Sequence, residues 1–335
     1  MLPAIFSLSG PELTPDERAL FRSADPAGYI LFRRNAASPA QLRALTDELR
    51  ALAGRDDLPI LIDQEGGRVA RLRPPEWPAF PSGEKFDSLY RVAPISAIEA
   101  ARVNAQAIAL TLREAGINVD CLPLLDVRQP GTHDAIGDRA LGSEPMQVAA
   151  LGRAILEGLR SGGVVGVVKH MPGQGRAISD SHVELPVVSA ARDELESDFE
   201  PFRSLAWAPM GMTAHLLFTA IDPERCATLS PVIIEQVIRR HIGFDGLLLS
   251  DDLAMEALSG SVAERAHGAL AAGCDIALHC SGRLGEMEEL AESLGGIGEQ
   301  ARARLERAMA TIAGGPDPAG LDDLLARRDA LLAYA

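Results

Sequence analysis

The chain has 335 residues, 47% of them apolar, and 32 basic side chains against 47 acidic ones, a formal charge of −15. That apolar share supports a sizeable core and excludes a disordered chain or a small disulfide scaffold. An acidic chain without a long basic stretch is a poor grip for nucleic acid or an anionic membrane, because both demand clustered Lys and Arg.

From the N-terminus, short apolar runs alternate with helical patterns. Met1–Glu12 lacks a basic leader and its apolar run is too short for a signal peptide. The first strand is expected at Ala4–Leu8 and the second at Gly28–Phe32. Ser38, Pro39 and Gln41 then open a helix, with an N-cap serine, proline in the first turn and a capping-box glutamine. Leu42, Leu45, Leu49 and Leu52 make its buried stripe. A third strand, Pro59–Ile62, leads into a proline-rich irregular loop over Arg73–Pro94, and Ile95–Ala115 reads as a helix stopped by Gly116.

The fourth and fifth strands are expected at Ile117–Leu125 and Val164–Val168. A helix ending over Arg203–Trp207 precedes the sixth, Met210–Ala214. Ser230-Pro231 starts a further helix with Ile233, Ile234, Val237 and Ile238 buried. Gly246–Leu249 and Asp275–Leu278 complete eight strands, and the tail from Leu284 to Ala335 reads as extra helices on the outside.

Short apolar strands alternating with helices imply a parallel sheet buried on both faces. Eight such units favour a single α/β domain over residues 1–335, a closed (β/α)8 TIM-like barrel with C-terminal helices; an open doubly wound sheet is the alternative. Cys121, Cys226, Cys274 and Cys280 form no C-x-x-C pair, so free thiols in a reducing compartment are expected. With no apolar run long enough to span a membrane, the expected location is the cytoplasm.

In such a barrel the reacting groups sit where strands end, under converging loops. Asp63 follows strand three, Asp126 strand four, Lys169 and His170 strand five, His215 strand six, Asp251 and Asp252 strand seven, and His279 and Cys280 strand eight. Charges at buried strand ends are tolerable only where water or a ligand meets them. Asp180-Ser181-His182 lies in the loop after strand five; if extended, it puts the carboxylate and imidazole on one side. A carboxylate-oriented imidazole is a proton shuttle usable near pH 7. The plainer reading is a capping aspartate beside an exposed histidine.

Asp251 can attack an electrophilic carbon or cap the next helix. Asp63, Arg71, Arg139, Lys169 and His170 can form a polar cup for a polyhydroxyl ligand, whereas surface ion pairs are the plainer reading of the arginines. His215 and His279 read equally well as core histidines. Gly173-Gln174-Gly175 lacks the third glycine of a dinucleotide fingerprint, and no metal-ligand spacing is evident, so neither cofactor nor metal is expected.

These residues carry a resemblance. Gly28–Asn35, Ile62–Arg71, Ile136–Arg139, Lys169–Pro186 and Ser250–Leu253 resemble, in the same order, the bacterial β-N-acetylhexosaminidases of glycoside hydrolase family 3. The resemblance implies a retaining glycosidase on one barrel. Asp251 would be the nucleophile, and His182, held by Asp180, the acid and then the base. Asp63, Arg71, Arg139, Lys169 and His170 would bind N-acetylglucosamine. The implied substrates are anhydro-muropeptides of cytoplasmic cell-wall recycling; a phosphorylase or a non-catalytic sugar-binding barrel is the alternative. One departure is Gln174, where many relatives have histidine. Because the implied ligand is itself anionic, the cup of Arg71, Arg139 and Lys169 is where the negative field is expected to reverse sign. The sequence carries no signal of oligomeric state.

Overall fold

The structure, a computed structural model, describes residues 1–334. Its frame is a parallel barrel of eight strands: β1 Leu2–Phe6, β2 Pro26–Leu31, β3 Ile60–Ile62, β4 Val119–Asp120, β5 Val165–Met171, β6 Met210–Thr213, β7 Leu247–Leu249 and β8 Ala277–Leu278. Each pairs with its neighbour in sequence, and β8 pairs with β1. The seam between β7 and β8 closes through the bridge Leu249–Ile276 and the bond from Ser250 N–H to the Ile276 carbonyl, 3.0 Å. The closed barrel is the expected fold, and the open sheet is excluded.

Side chains alternate across the strands as the pleat requires. Ile5, Ile30, Leu61, Val119, Val167, Met210 and Leu249 fill the interior, while Phe6, Tyr29, Leu31, Ile60 and Val168 face the helices. β4 is shorter than its apolar run, and Pro123 has no N–H to donate. The chain beyond it stays tied to its neighbours by bonds from Val167 N–H to the Leu122 carbonyl (3.0 Å) and Lys169 N–H to the Pro123 carbonyl (3.1 Å), and by the bridge Leu124–Lys169. In β5 the register against β6 slips between Val168 and Met171. That irregularity lets the adjacent residues Lys169 and His170 both line one cavity, which a regular strand would forbid.

The helix starts follow their signals with local changes. Ser38 accepts the Gln41 N–H at 3.3 Å, but the Gln41 amide reaches back to Ala37 N–H, one residue beyond the expected box. Ser230 caps Ile233 N–H at 3.0 Å, and the helix Ile233–His241 has wide turns, as in the bond from Ile242 N–H to the Val237 carbonyl five residues back. The expected loop Arg73–Pro94 is irregular only to Ser82; Gly83–Val92 is a helix running into Pro94–Glu114.

The tail corrects the expectation of outer helices. Leu284–Ser293 is the eighth barrel helix, and Leu321–Leu332 packs outside against Pro94–Glu114. Between them, Glu299–Ala310 plugs the barrel at the strands' N-terminal end. Ala301, Leu305, Ala308 and Met309, one stripe of this helix, join the interior cluster with Ile297 and Ile312. Arg304 locks it by pairing with Asp245 at 2.8 Å and Asp275 at 2.9 Å, ahead of β7 and β8. Among the described residues, no helix is long and apolar enough to cross a membrane.

The plug makes a measurable claim. Leu305→Ala should lower unfolding stability by roughly 2–5 kcal/mol, the cost of a large-to-small change at a packed site. Arg302→Ala, on the exposed side of the same helix, should stay within about 0.5 kcal/mol of wild type. Urea unfolding followed by circular dichroism tests both, and equal effects would remove the plug from the core.

Candidate active site

The cavity forms at the opposite end of the barrel from the plug. Directly after β3, the chain makes a small hairpin of Gln64–Gly66 with Val69–Ala70. Gln64 is fully buried and staples it: its carbonyl oxygen accepts from Arg71 and Leu72 N–H at 2.9 and 3.0 Å, and its amide donates to the Leu72 carbonyl at 2.9 Å. The staple sets Asp63, Glu65 and Arg71 around one space.

Those groups join a buried chain of charges. The Lys169 ammonium donates to Asp63 at 2.9 Å and pairs with Glu65 at 2.7 Å. Arg139 grips Glu65 through two bonds of 2.8 Å, and Arg71 reaches Asp63 at 3.1 Å. Burial works to raise the pKa of both carboxyls, but their cations outweigh it. Lys169 and Arg71 hold Asp63 well below the usual range, and Arg139 with Lys169 brings Glu65 down to about 2. Burial would likewise lower Lys169, yet Asp63 and Glu65 raise it well above its ordinary value. All four ions of the Asp63–Lys169–Glu65–Arg139 chain therefore stay charged.

Beside them, His170 Nδ1 lies 2.8 Å from Asp126. Burial acts to raise Asp126, but His170 and the N–H groups of Gln174 and His170 lower it, so it is ionised and Nδ1 is the donor. Across the cavity, the Asp180 carboxylate accepts from His182 N–H at 3.0 Å and meets its Nδ1 at 2.8 Å. Burial tends to raise the Asp180 pKa, but the bonds from His182 prevail and lower it. The imidazole itself is exposed, with 69% of its surface free.

Asp251 follows β7, and one of its oxygens accepts Asp252 N–H at 2.8 Å. The turn-capping role falls to Asp252, whose carboxylate takes Ala254 N–H at 2.9 Å and Cys280 N–H at 3.0 Å. Burial raises the Asp252 pKa. Among the described residues, Asp251 and Asp252 are the cavity carboxylates paired with neither a lysine or arginine nor a histidine.

Asp63, Arg71, Arg139, Lys169, His170, Asp180, His182 and Asp251 all line a single cavity of about 250 Å³. Cys280, named at the end of strand eight, lines it as well, and so do Glu65, Phe32, Met212 and Met255, which were not singled out from sequence. Glu65 had a signal: two residues from Asp63 on an extended segment, it shares Asp63's side. Phe32 carries the guanidinium of Arg71 over its ring at 5.1 Å. His215 is not in the cavity wall; it is fully buried and bonded to Thr228 and the Asp252 carbonyl, as a core histidine is. His279 is also buried, between Ser281 and Glu286, and burial lowers it to about 4. The expected reversal of sign does not occur. The cations Arg68, Arg71, Arg139 and Lys169 share the cavity lining with the carboxyl groups of Asp63, Glu65, Asp180, Asp251 and Asp252, so the lining carries no excess of positive groups.

Residues 9–313 match the model of the glycosyl hydrolase family 3 N-terminal domain. The chain belongs to glycosyl hydrolase family 3. A beta-hexosaminidase of Alkalilimnicola ehrlichii is 40% identical over 284 residues, 83% of this chain and 80% of the relative. That of Xanthomonas oryzae pv. oryzae is 37% identical over 331 residues, covering 97% and 95%. The crystal structure of NagZ from Neisseria gonorrhoeae, in complex with N-trifluoroacetyl-D-glucosamine, superposes with a TM-score of 0.87 at 30% identity, covering 99% of this chain and 98% of that one. This family 3 member is an enzyme, a glycoside hydrolase of the β-hexosaminidase kind.

The charge chain yields a pH prediction for the family 3 barrel. Glu65 takes up its proton near 4.5 when free and near 2 when folded. Its contribution, roughly 3 kcal/mol, is thus complete above pH 4.5 and lost as pH falls toward 2. Glu65→Gln should lose that amount at pH 7 and leave Lys169 and Arg139 undercompensated. The stability gap between wild type and variant should shrink from pH 5 to pH 2.5 in urea titrations; a gap constant with pH would contradict the assignment.

Proposed function

We propose that the protein is a retaining β-N-acetylglucosaminidase that removes terminal β-linked N-acetylglucosamine, with anhydro-muropeptides of cytoplasmic cell-wall recycling as its substrates. Asp251 is the nucleophile and His182, oriented by Asp180, the acid and base. One observation carries the reading: side chains scattered from residue 63 to residue 251, each matching a family motif, line one cavity.

The chemistry follows from what each group has left to offer. Asp251 has no cationic partner, so its free oxygen keeps the electron density needed to attack the anomeric carbon. His182 spends Nδ1 on Asp180 and presents Nε2, which gives a proton to the departing oxygen. The bond from C1 to that oxygen breaks as the bond from C1 to Asp251 forms. In the second half the neutral imidazole takes a proton from water, whose oxygen attacks C1 and releases Asp251. Most retaining glycosidases use two carboxylates; here an imidazole replaces one and exchanges protons near neutral pH. Asp63, Lys169, His170 and Arg71 supply acceptors and donors for the sugar's polar groups, and Arg139 holds Glu65 in place among them.

Asp251→Ala should abolish phenol release from an aryl N-acetyl-β-glucosaminide, and a 5-fluoro glycosyl trap should label Asp251 in intact-protein and peptide mass spectra. A label on another residue, or unchanged turnover in the variant, sinks the nucleophile assignment. Adding inorganic phosphate should yield free N-acetylglucosamine and no sugar 1-phosphate; sugar phosphate as the main product would make the enzyme a phosphorylase.

A further inference from the structure

The loop carrying His182 has a fixed root and an almost unattached tip. At the root, Gln174 N–H donates to Asp126 at 2.7 Å, and Arg176 donates to Asp198 at 2.7 Å and to the Glu194 carbonyl at 2.9 Å. Thr132 bonds the Gly175 carbonyl at 2.6 Å. A Cβ on Gly175 would lie 1.8 Å from the Val127 carbonyl oxygen, so only glycine fits there.

The tip, residues 178–184, satisfies itself. Asp180 takes both contacts from His182, and its carbonyl accepts Val183 and Glu184 N–H. Ile178, His182, Val183 and Glu184 are exposed. Among the described residues, one hydrogen bond joins this tip to the rest of the protein: Gln174 Nε2 to Ser181 Oγ, 3.3 Å. Both partners are buried, Gln174 at 5% and Ser181 at 2% exposure, although Ser181 sits between the two working residues of the tip. The Gln174 side-chain carbonyl is buried without a partner, and the residue lines the cavity.

We propose that Gln174 is a positioning residue for His182, acting through Ser181; the inference rests on the acid/base reading of His182 above. Asp126 takes the Gln174 N–H and also orients His170, so the latch ties the proton-transferring loop to the carboxylate that aims a sugar-side group. An amide does not titrate, so the latch holds equally whether the imidazole is charged or neutral. It thereby fixes the place of the proton donor without adding a second ionisation to the reaction.

Leaving-group dependence tests this, because a poor leaving group needs the proton and a very good one does not. For a phenyl N-acetyl-β-glucosaminide, Gln174→Leu should lower kcat/KM by about 10- to 100-fold, the scale of a misplaced catalytic group. For the 2,4-dinitrophenyl substrate it should fall by no more than about 3-fold, since protonation contributes little there. Ser181→Ala should reproduce this pattern, and the double variant should be no worse than the weaker single one. Equal losses on both substrates, or losses that multiply in the double variant, overturn the latch. If Gln174→Leu fails to fold, Ser181→Ala carries the test alone on the same pair of substrates. His182→Ala is the reference. If it is itself insensitive to the leaving group, the acid/base reading falls and the latch with it. If it is sensitive and Gln174→Leu is not, only the latch falls.

Discussion

Four ions held out of water organise the upper end of this barrel. Asp63, Lys169, Glu65 and Arg139 alternate in sign, so each charge that has lost its hydration is met by the next. In a low-dielectric interior such a chain is tolerable only when complete, since removal of one member leaves its neighbour buried and unmatched. The completeness demand reaches across the fold. It links the end of β3, the end of β5 and the short turn Gly137–Arg139, three pieces that share no local structure. The slipped register of β5 and the Gln64 staple both serve this geometry. Because the charges within this chain cancel, Asp251 and Asp252 are left as the cavity carboxylates with no cation beside them.

The two sides of the cavity are built differently. Lys169 and His170 stand on β5 and are buried, so their positions are set by the barrel itself. The Asp180–His182 pair stands on a loop, with the imidazole in solvent. With the roles proposed above, the binding groups and the proton carrier therefore stand on differently supported pieces of the chain.

Much of this was legible from residues alone, for identifiable reasons. Strands buried on both faces leave continuous apolar runs, so Ile60–Ile62 and Leu247–Leu249 stood out. Ser38 and Ser230 marked helix starts because a cap is a local contact. The candidate site residues could be named because strand ends are local features too. What was illegible was pairing at a distance. Arg139 and Glu65 lie 74 residues apart, and nothing near either one reveals that the two neutralise each other or that Asp180, Asp251 and Asp252 share the cavity, so the cup looked more basic than its lining is. The helix Glu299–Ala310 failed for a related reason: an apolar stripe looks the same whether it packs on the outside of a barrel or across its open end.

That last helix has a consequence for how the molecule comes into being. The side chains lining the cavity all belong to residues 30–280, yet the interior beneath them is sealed by residues 297–312. On the ribosome, every strand and every site residue is therefore made before the seal exists. Until residues 297–312 emerge, Ile5, Leu61, Val165 and Met210 face an uncapped opening, and a partly made chain has apolar surface to shield from its neighbours. Closure of the barrel's interior is thus set by the arrival of a segment that lines none of the cavity.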